Sequence, residues 1–272
     1  MTNVREAAVA GLFYPSAPDE LKQDIEDLLI ACEGGNKGPR VLIVPHAGYM
    51  YSGHVAAVAY RLMNASVIRR VILLGPSHRV ALDGCAVPTS EHFKTPLGMI
   101  KLDTQACQSL VDEGLASYND KAHQFEHSLE VQLPFLQFCL NEFTLLPIVV
   151  GYVESREVID VLQKLYVDSE DLIVISTDLS HFHPYQEAIE LDQNSINKIL
   201  NLNAILKSHN ACGSYAVNGL LGFVSKQNEA HKIEGEGVQN NTWQIQLLKY
   251  ANSGDVGGNK QEVVGYASFA IY

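Results

Sequence analysis

Short runs of β-branched and other apolar residues recur along this chain of 272 residues, and they restrict its fold more than any other feature. They lie at residues 41–44, 71–74, 145–150, 172–175 and 263–271. Runs that are apolar at consecutive positions, rather than at alternate ones, are typical of strands covered on both faces. Amphipathic segments separate these runs. The pattern predicts an α/β fold with a mostly parallel or mixed central sheet and helices on both faces.

The segments between the runs have the apolar periodicity of helices. We predict helices at residues 17–32, 54–63, 104–113, 128–140, 157–165, 185–200 and 213–225. The sequence has no internal repeat and no linker rich in Pro, Gly and Ser, so residues 1–272 are predicted to form a single domain. The last apolar run follows a segment at 243–250 across a Gly-rich stretch, and the two are predicted to pair as an antiparallel hairpin.

Charge and cysteine content bear on the expected partners and location. The formal net charge is -12, whereas nucleic acids and anionic membranes bind basic surfaces, so neither is an expected partner. The sequence has no apolar run of bilayer length. Its 5 cysteines are odd in number and unclustered, which indicates no disulfide framework and favours a reducing, cytoplasmic location.

Histidines follow several of the predicted strands. His46 comes after the run at 41–44, His78 after 71–74 and His181 after 172–175. Ligands of open α/β sheets bind outside the carboxyl ends of the strands, and imidazole both ligates transition metals and transfers protons near neutral pH. The sequence therefore predicts a polar pocket, metal-binding or acid/base, at this end of the sheet. Asp178 precedes His181 by three positions and is predicted to orient its ring.

Further candidate groups lie at two predicted helix starts. Ser128 is predicted to cap the helix at 128–140, which places His127 just outside that helix and Glu130 in its first turn. Cys212 precedes the helix at 213–225, and a thiol at a helix N-terminus has a lowered pKa and ligates metals as thiolate.

Each of these side chains also has an ordinary structural interpretation. An isolated histidine is more commonly a hydrogen-bonding group of the fold than a ligand, and a lone cysteine is commonly a small apolar residue. Tyr51 is as consistent with a packing aromatic as with a substrate contact. The shared strand-end position of His46, His78 and His181 is what favours a functional pocket there.

The sequence blocks around these residues resemble the signature blocks of the Memo family. They are residues 45–49 (Pro-His-Ala-Gly-Tyr), 74–78 (Leu-Gly-Pro-Ser-His), 126–130 (Glu-His-Ser-Leu-Glu), 176–181 (Ser-Thr-Asp-Leu-Ser-His) and the pair Cys212-Gly213. Their order and rough spacing agree with the family from residues 10–15 onward, so the resemblance covers essentially the whole chain.

The resemblance implies a fold and a metal site. Memo proteins are similar to class III extradiol dioxygenases, and their site of two histidines and a cysteine corresponds here to His46, His78 and Cys212. His181 resembles the acid/base histidine of the dioxygenases, with Asp178 beside it. Animal members continue the Cys-Gly pair with Arg-His-Pro, whereas this chain has Ser-Tyr-Ala at residues 214–216.

Several functions are compatible with such a site. We expect iron or copper at His46, His78 and Cys212, with His181 and Asp178 as catalytic groups of a dioxygenase-like enzyme. The expected substrate contacts are His127, Glu130 and Tyr51. The alternatives are a non-catalytic metal- or ligand-binding protein and a zinc hydrolase. The expected partners are a small-molecule or peptide ligand and, by the resemblance, radical-SAM and AMMECR-type proteins.

Overall fold

The helices and strands of this protein are taken from a computed structural model, which describes residues 3–32, 38–166, 170–233, 242–257 and 259–272. The α-helices are α1 (Pro18–Ile30), α2 (His54–Tyr60), α3 (Thr104–Asp112), α4 (Asp120–Gln124), α5 (Leu133–Cys139), α6 (Ser155–Leu165), α7 (Tyr185–Leu200) and α8 (Ser214–Ile233). The strands are β1 (Val4–Arg5), β2 (Val41–Val44), β3 (Arg70–Pro76), β4 (Cys85–Val87), β5 (His92–Thr95), β6 (Gly98–Lys101), β7 (Ser117–Tyr118), β8 (Thr144–Val150), β9 (Asp171–Ser176), β10 (His181–His183), β11 (Ile245–Asn252) and β12 (Val263–Ile271).

The central sheet is mixed, with a parallel middle. Its strands lie in the order β10-β12-β2-β9-β3-β8-β4-β7, and β11 pairs with β12. β2, β9, β3 and β8 run parallel to one another. β12 is antiparallel to β2, and β4 is antiparallel to β8. The predicted single-domain α/β fold with a mostly parallel or mixed sheet is confirmed.

The core lies on both faces of this sheet, as the continuous apolar runs predicted. Along β3, Ile72 and Leu74 pack on the face covered by α6 and α8, whereas Val71 and Leu73 pack on the face covered by α1, α2 and α5. Successive side chains of a strand point to opposite faces, so a strand buried on both faces must be apolar at every position. All four of these side chains are fully buried.

The predicted hairpin is confirmed, and one predicted helix start is wrong. β11 pairs antiparallel with β12 over most of its length. The predicted helix at 128–140 begins instead as a 3-10 helix at Glu130–Gln132 and continues as α5 from Leu133. Ser128 does not cap it, because the residue before the 3-10 helix is Leu129; the Ser128 hydroxyl donates instead to the Pro76 carbonyl at the end of β3 (2.8 Å). That hydrogen bond holds residues 126–130 across the carboxyl end of the sheet.

Some elements carried no sequence signal that we recognised. β1, β5 and β6 form a small separate sheet, and their strands span only two to four residues each, too few for a periodicity. The helix predicted at 213–225 extends to Ile233 in α8. In the described ranges, no helix is long and apolar enough to cross a membrane.

Two features of the fold bring the candidate residues together. β9 lies between β2 and β3, so the carboxyl ends of these three strands are neighbours. α8 packs closely on α6, because a Cβ at Gly219 would lie only 2.3 Å from Cβ of Val158. The loop before α8 is thereby held at the same end of the sheet.

Candidate metal centre

Three possible ligands converge at the carboxyl ends of the parallel strands. His46 follows β2, His78 follows β3 and Cys212 precedes α8, and one ligand atom from each lies within 4.8 Å of the others. The Cys212 Sγ is 3.3 Å from His46 Nε2, and the two imidazole centroids are 5.1 Å apart. The structure therefore brings together the residues that the sequence predicted as a metal site.

The His46 ring is held in one tautomer by a buried hydroxyl. Ser176 Oγ donates its single hydrogen to the Ser128 carbonyl (2.6 Å) and accepts from Gln132 Nε2 (2.8 Å). Ser176 Oγ has no second hydrogen to donate, so in its 2.9 Å contact with His46 Nδ1 the ring nitrogen is the donor. The lone pair of the neutral ring is then on Nε2, which faces Cys212. Burial, followed by the neighbouring histidines, lowers the pKa of His46, so this ring stays neutral.

A carboxylate orients the His78 ring, and here too the bonded ring nitrogen is Nδ1. His78 Nδ1 donates to Glu126 Oε1 (2.8 Å), and the His78 amide donates to Oε2 (2.5 Å). Burial raises the pKa of Glu126, but the hydrogen bonds from His78 and from the Ser128 amide outweigh it, and the pKa falls to about 2. An ionised Glu126 can only accept hydrogen bonds, so the hydrogen in this contact lies on His78 Nδ1. In the neutral ring the lone pair is then on Nε2. Glu126 was not among the predicted site residues, although it opens the block at 126–130.

Cys212 reaches His46 because the next residue has no side chain. A Cβ on Gly213 would lie 2.8 Å from Thr177 Cβ and 2.9 Å from the Ser176 carbonyl oxygen. The Asp178 amide donates to Sγ at 3.3 Å. We expected a lowered thiol pKa at this helix start, and that expectation is wrong: burial and the nearby Asp178 charge raise the pKa of Cys212 to about 12. Metal binding must therefore displace a proton from the thiol.

Asp178 and His181 lie near these ligands but are not paired as predicted. His181 Nδ1 donates to the Leu179 carbonyl (2.8 Å). Asp178 Oδ1 accepts from the His46 amide (2.8 Å), and Oδ2 is 4.0 Å from His46 Nε2. Thus the backbone of Leu179, rather than Asp178, orients the His181 ring. Burial raises the pKa of Asp178 to about 7, which leaves this carboxyl able to exchange a proton near neutral pH. Their catalytic roles stay predictions.

His127 lies beside the candidate ligands, whereas Tyr51 packs against the small cluster that contains Tyr266. The His127 ring stacks on His78 with centroids 4.5 Å apart and also contacts Phe13. Burial, followed by the neighbouring His78 ring, lowers the pKa of His127 to about 4, so His127 stays neutral. Tyr51 belongs to the π-helix Tyr49–Gly53 and is partly buried. For both, substrate contact stays a prediction.

Glu130 has a different role from the substrate contact that we predicted. Its side chain is fully buried, and Oε1 accepts from the Val9 amide (2.9 Å) and the Tyr14 hydroxyl (2.6 Å). Oε2 accepts from the Ala8 amide (2.8 Å) and from the Arg5 guanidinium. These partners fill the acceptor capacity of the carboxylate. Glu130 therefore anchors the N-terminal segment against the loop that carries His127.

The donor set fits a soft or borderline transition metal. One nitrogen of each imidazole and one sulfur lie within 4.8 Å of one another, and the carboxylates Glu126 and Glu130 are committed to hydrogen bonds. Nitrogen and thiolate donors suit iron, copper and zinc, whereas magnesium and calcium prefer oxygen. The side chain of His78 is 27% exposed, so a ligand can approach from that side.

Comparison with known proteins places the chain in a family. Residues 5–270 match the family described as Memo-like protein. A MEMO1 family protein from Sulfurisphaera tokodaii is 35% identical over 97% of this chain and 98% of its own length. One from Aquifex aeolicus is 36% identical over 97% of both chains, and one from Methanosarcina barkeri is 33% identical over 98% of this chain and all of its own. Because the match spans nearly the whole chain and includes the segments that form the metal centre, this protein belongs to the Memo-like family.

Proposed function

We propose that this protein binds one iron or copper ion per chain through His46 Nε2, His78 Nε2 and Cys212 Sγ, and uses it in a redox reaction of a small ligand. One observation carries the proposal. One nitrogen of each histidine and the Cys212 sulfur lie within 4.8 Å of one another, and buried acceptors bond Nδ1 of each imidazole. Orienting hydrogen bonds of this kind are typical of histidines that ligate metals.

The sulfur ligand is the reason for favouring a redox metal. Two histidines and a carboxylate are the usual ligands of non-haem iron oxygenases. A thiolate in place of the carboxylate keeps the ligand number and charge but favours softer ions, including copper(I). A bound iron or copper ion would supply Lewis acidity and one-electron redox chemistry. Zinc is the alternative occupant, since histidine and cysteine ligands also form catalytic zinc sites.

His181 is the proposed acid/base group beside this centre. Its Nδ1 hydrogen is committed to the Leu179 carbonyl, so Nε2 of the neutral ring is the nitrogen that can accept a proton. Burial lowers the pKa of His181, which keeps the ring unprotonated and ready to act as a base at neutral pH. Asp178, next to His46, is a second group that can hold a proton there.

The first prediction concerns metal content. Protein purified anaerobically should contain close to one equivalent of iron or copper, and His46→Ala and Cys212→Ala should lose most of it because each removes a ligand. Elemental analysis measures this. Two matched controls should keep the metal. His209→Ala changes an exposed histidine, and Cys32→Ala changes a cysteine whose thiol is hydrogen-bonded to the Leu28 carbonyl. Full occupancy in Cys212→Ala would contradict the ligand assignment, and zinc in the purified protein would favour the hydrolase.

The second prediction concerns pH. The metal-free Cys212 thiol has a pKa of about 12 and loses its proton on metal binding, so metal affinity should rise about tenfold per pH unit above pH 7. Below pH 7 the rise should be steeper, because the bound cation also lowers the pKa of Asp178 from its value of about 7. Competition titrations with a chelator of known affinity, between pH 6 and 8, test this. An affinity independent of pH would show that the thiolate is not a ligand.

The third prediction separates metal binding from proton transfer. His181→Gln should keep the wild-type metal content but lower turnover by about 10²- to 10⁴-fold, the usual contribution of an acid/base group. Oxygen uptake by anaerobically iron-loaded protein, supplied with a panel of catechols, measures it. His183→Gln is the control, because His183 pairs with Glu187 rather than with the centre. Equal rates for His181→Gln and wild type would remove His181 from the mechanism.

A further inference from the structure

A buried carboxylate outside the metal centre, that of Asp192 on α7, is not used by the proposed chemistry. It is fully buried, on a helix whose neighbouring buried positions include Ala188 and Ile196. A carboxylate is costly to bury unless its oxygens are hydrogen-bonded. Here Oδ1 accepts from the Ser180 amide (2.9 Å) and Oδ2 from the Tyr250 hydroxyl (2.8 Å). Asp192 therefore links α7 to β11 and to the segment just before His181.

The carboxylate lies directly over a glycine of β12. A Cβ on Gly265 would be 1.9 Å from Asp192 Oδ2 and 2.7 Å from Oδ1, so only glycine allows this approach. The same Gly265 accepts from the Leu179 amide (2.8 Å) and donates to the Ser180 carbonyl (2.9 Å). Asp192 and Gly265 together fix the backbone of residues 179 and 180.

The backbone beyond this point has an unfavourable conformation. Phe182 has a φ of 61°, in the left-handed region that residues other than glycine rarely adopt. The register of β10 with β12 shifts between His181 and His183, as in a β-bulge. Such a conformation persists only when the surrounding structure enforces it, and the hydrogen bonds to Asp192 and Gly265 are constraints of that kind.

The orientation of the His181 ring depends on this fixed segment. His181 Nδ1 donates to the Leu179 carbonyl (2.8 Å), two residues earlier in the same segment, so the ring direction follows the backbone at 179–181. We infer that Asp192 is a positioning residue, which holds residues 179–183 in their bulged conformation and thereby directs His181 towards the metal centre. Its functional meaning rests on the proposed function, in which His181 transfers a proton.

The test observes the His181 ring itself. Protein labelled with ¹⁵N-histidine and loaded with diamagnetic zinc should give a single His181 tautomer, protonated on Nδ1; His181→Gln assigns the signal. In Asp192→Ala this single-tautomer signal should be replaced by one averaged over both tautomers. Asp192→Asn keeps an acceptor for the Ser180 amide and should keep the wild-type signal. This readout requires no turnover, so it stands even if His181→Gln leaves oxygen uptake unchanged.

Two further variants keep the test decisive. Ser195→Ala, at a buried position of the same helix, should leave the His181 signal unchanged, because the Ser195 hydroxyl donates within α7 to the Leu191 carbonyl. Tyr250→Phe is a milder change, for use if Asp192→Ala does not fold. It keeps the Asp192 carboxylate but removes the hydroxyl that donates to it, so the His181 signal should shift in the same direction by a smaller amount. An unshifted His181 signal in folded Asp192→Ala and in Tyr250→Phe, or an equal shift in Ser195→Ala, would overturn the inference.

Discussion

The hydroxyl of Ser176 sets the tautomer of His46, one of the candidate metal ligands, through its one hydrogen. Because that hydrogen is donated to the Ser128 carbonyl and Gln132 donates to the same oxygen, His46 can only donate from Nδ1, and its Nε2 lone pair faces the sulfur of Cys212. Ser176 is the last residue of β9, the strand between the two that carry the histidine ligands. The end of β9, which lies beside β2, therefore both contacts the His46 ring and sets its tautomer.

Two carboxylates of a single short segment have separate roles in this arrangement. Glu126 bonds the His78 ring, and Glu130 bonds Arg5 and the N-terminal backbone. Both are buried, and Glu130 forms a buried ion pair with Arg5; removing one partner of such a pair typically costs about 3–5 kcal/mol. The segment between them lies close against β3, since a Cβ on Gly75 would be 2.8 Å from the Ser128 hydroxyl oxygen. The loop that orients His78 is thus held both by the sheet and by the N-terminus.

The sequence was sufficient to predict the sheet and the cluster of candidate ligands, but not the groups that orient them. Strand-end placement identified His46 and His78, because parallel strands end at one edge of a sheet, and the family resemblance added Cys212. Sequence spacing does not say which way a side chain points once the chain turns. Glu130 was therefore predicted to face the pocket and Glu126 was missed. Gln132 carried no signal either, since its contacts with Pro45 and Ser176 join residues far apart in the sequence.

The central claim is that a cysteine sulfur binds the metal directly, alongside two imidazoles. X-ray absorption spectroscopy at the metal edge, on protein loaded anaerobically with iron, measures this without knowledge of the substrate. Wild-type protein should show one sulfur neighbour together with imidazole scattering, and Cys212→Ser should lose the sulfur while keeping the imidazoles. A metal without a sulfur neighbour in the wild-type protein, or sulfur that persists in Cys212→Ser, would contradict the account.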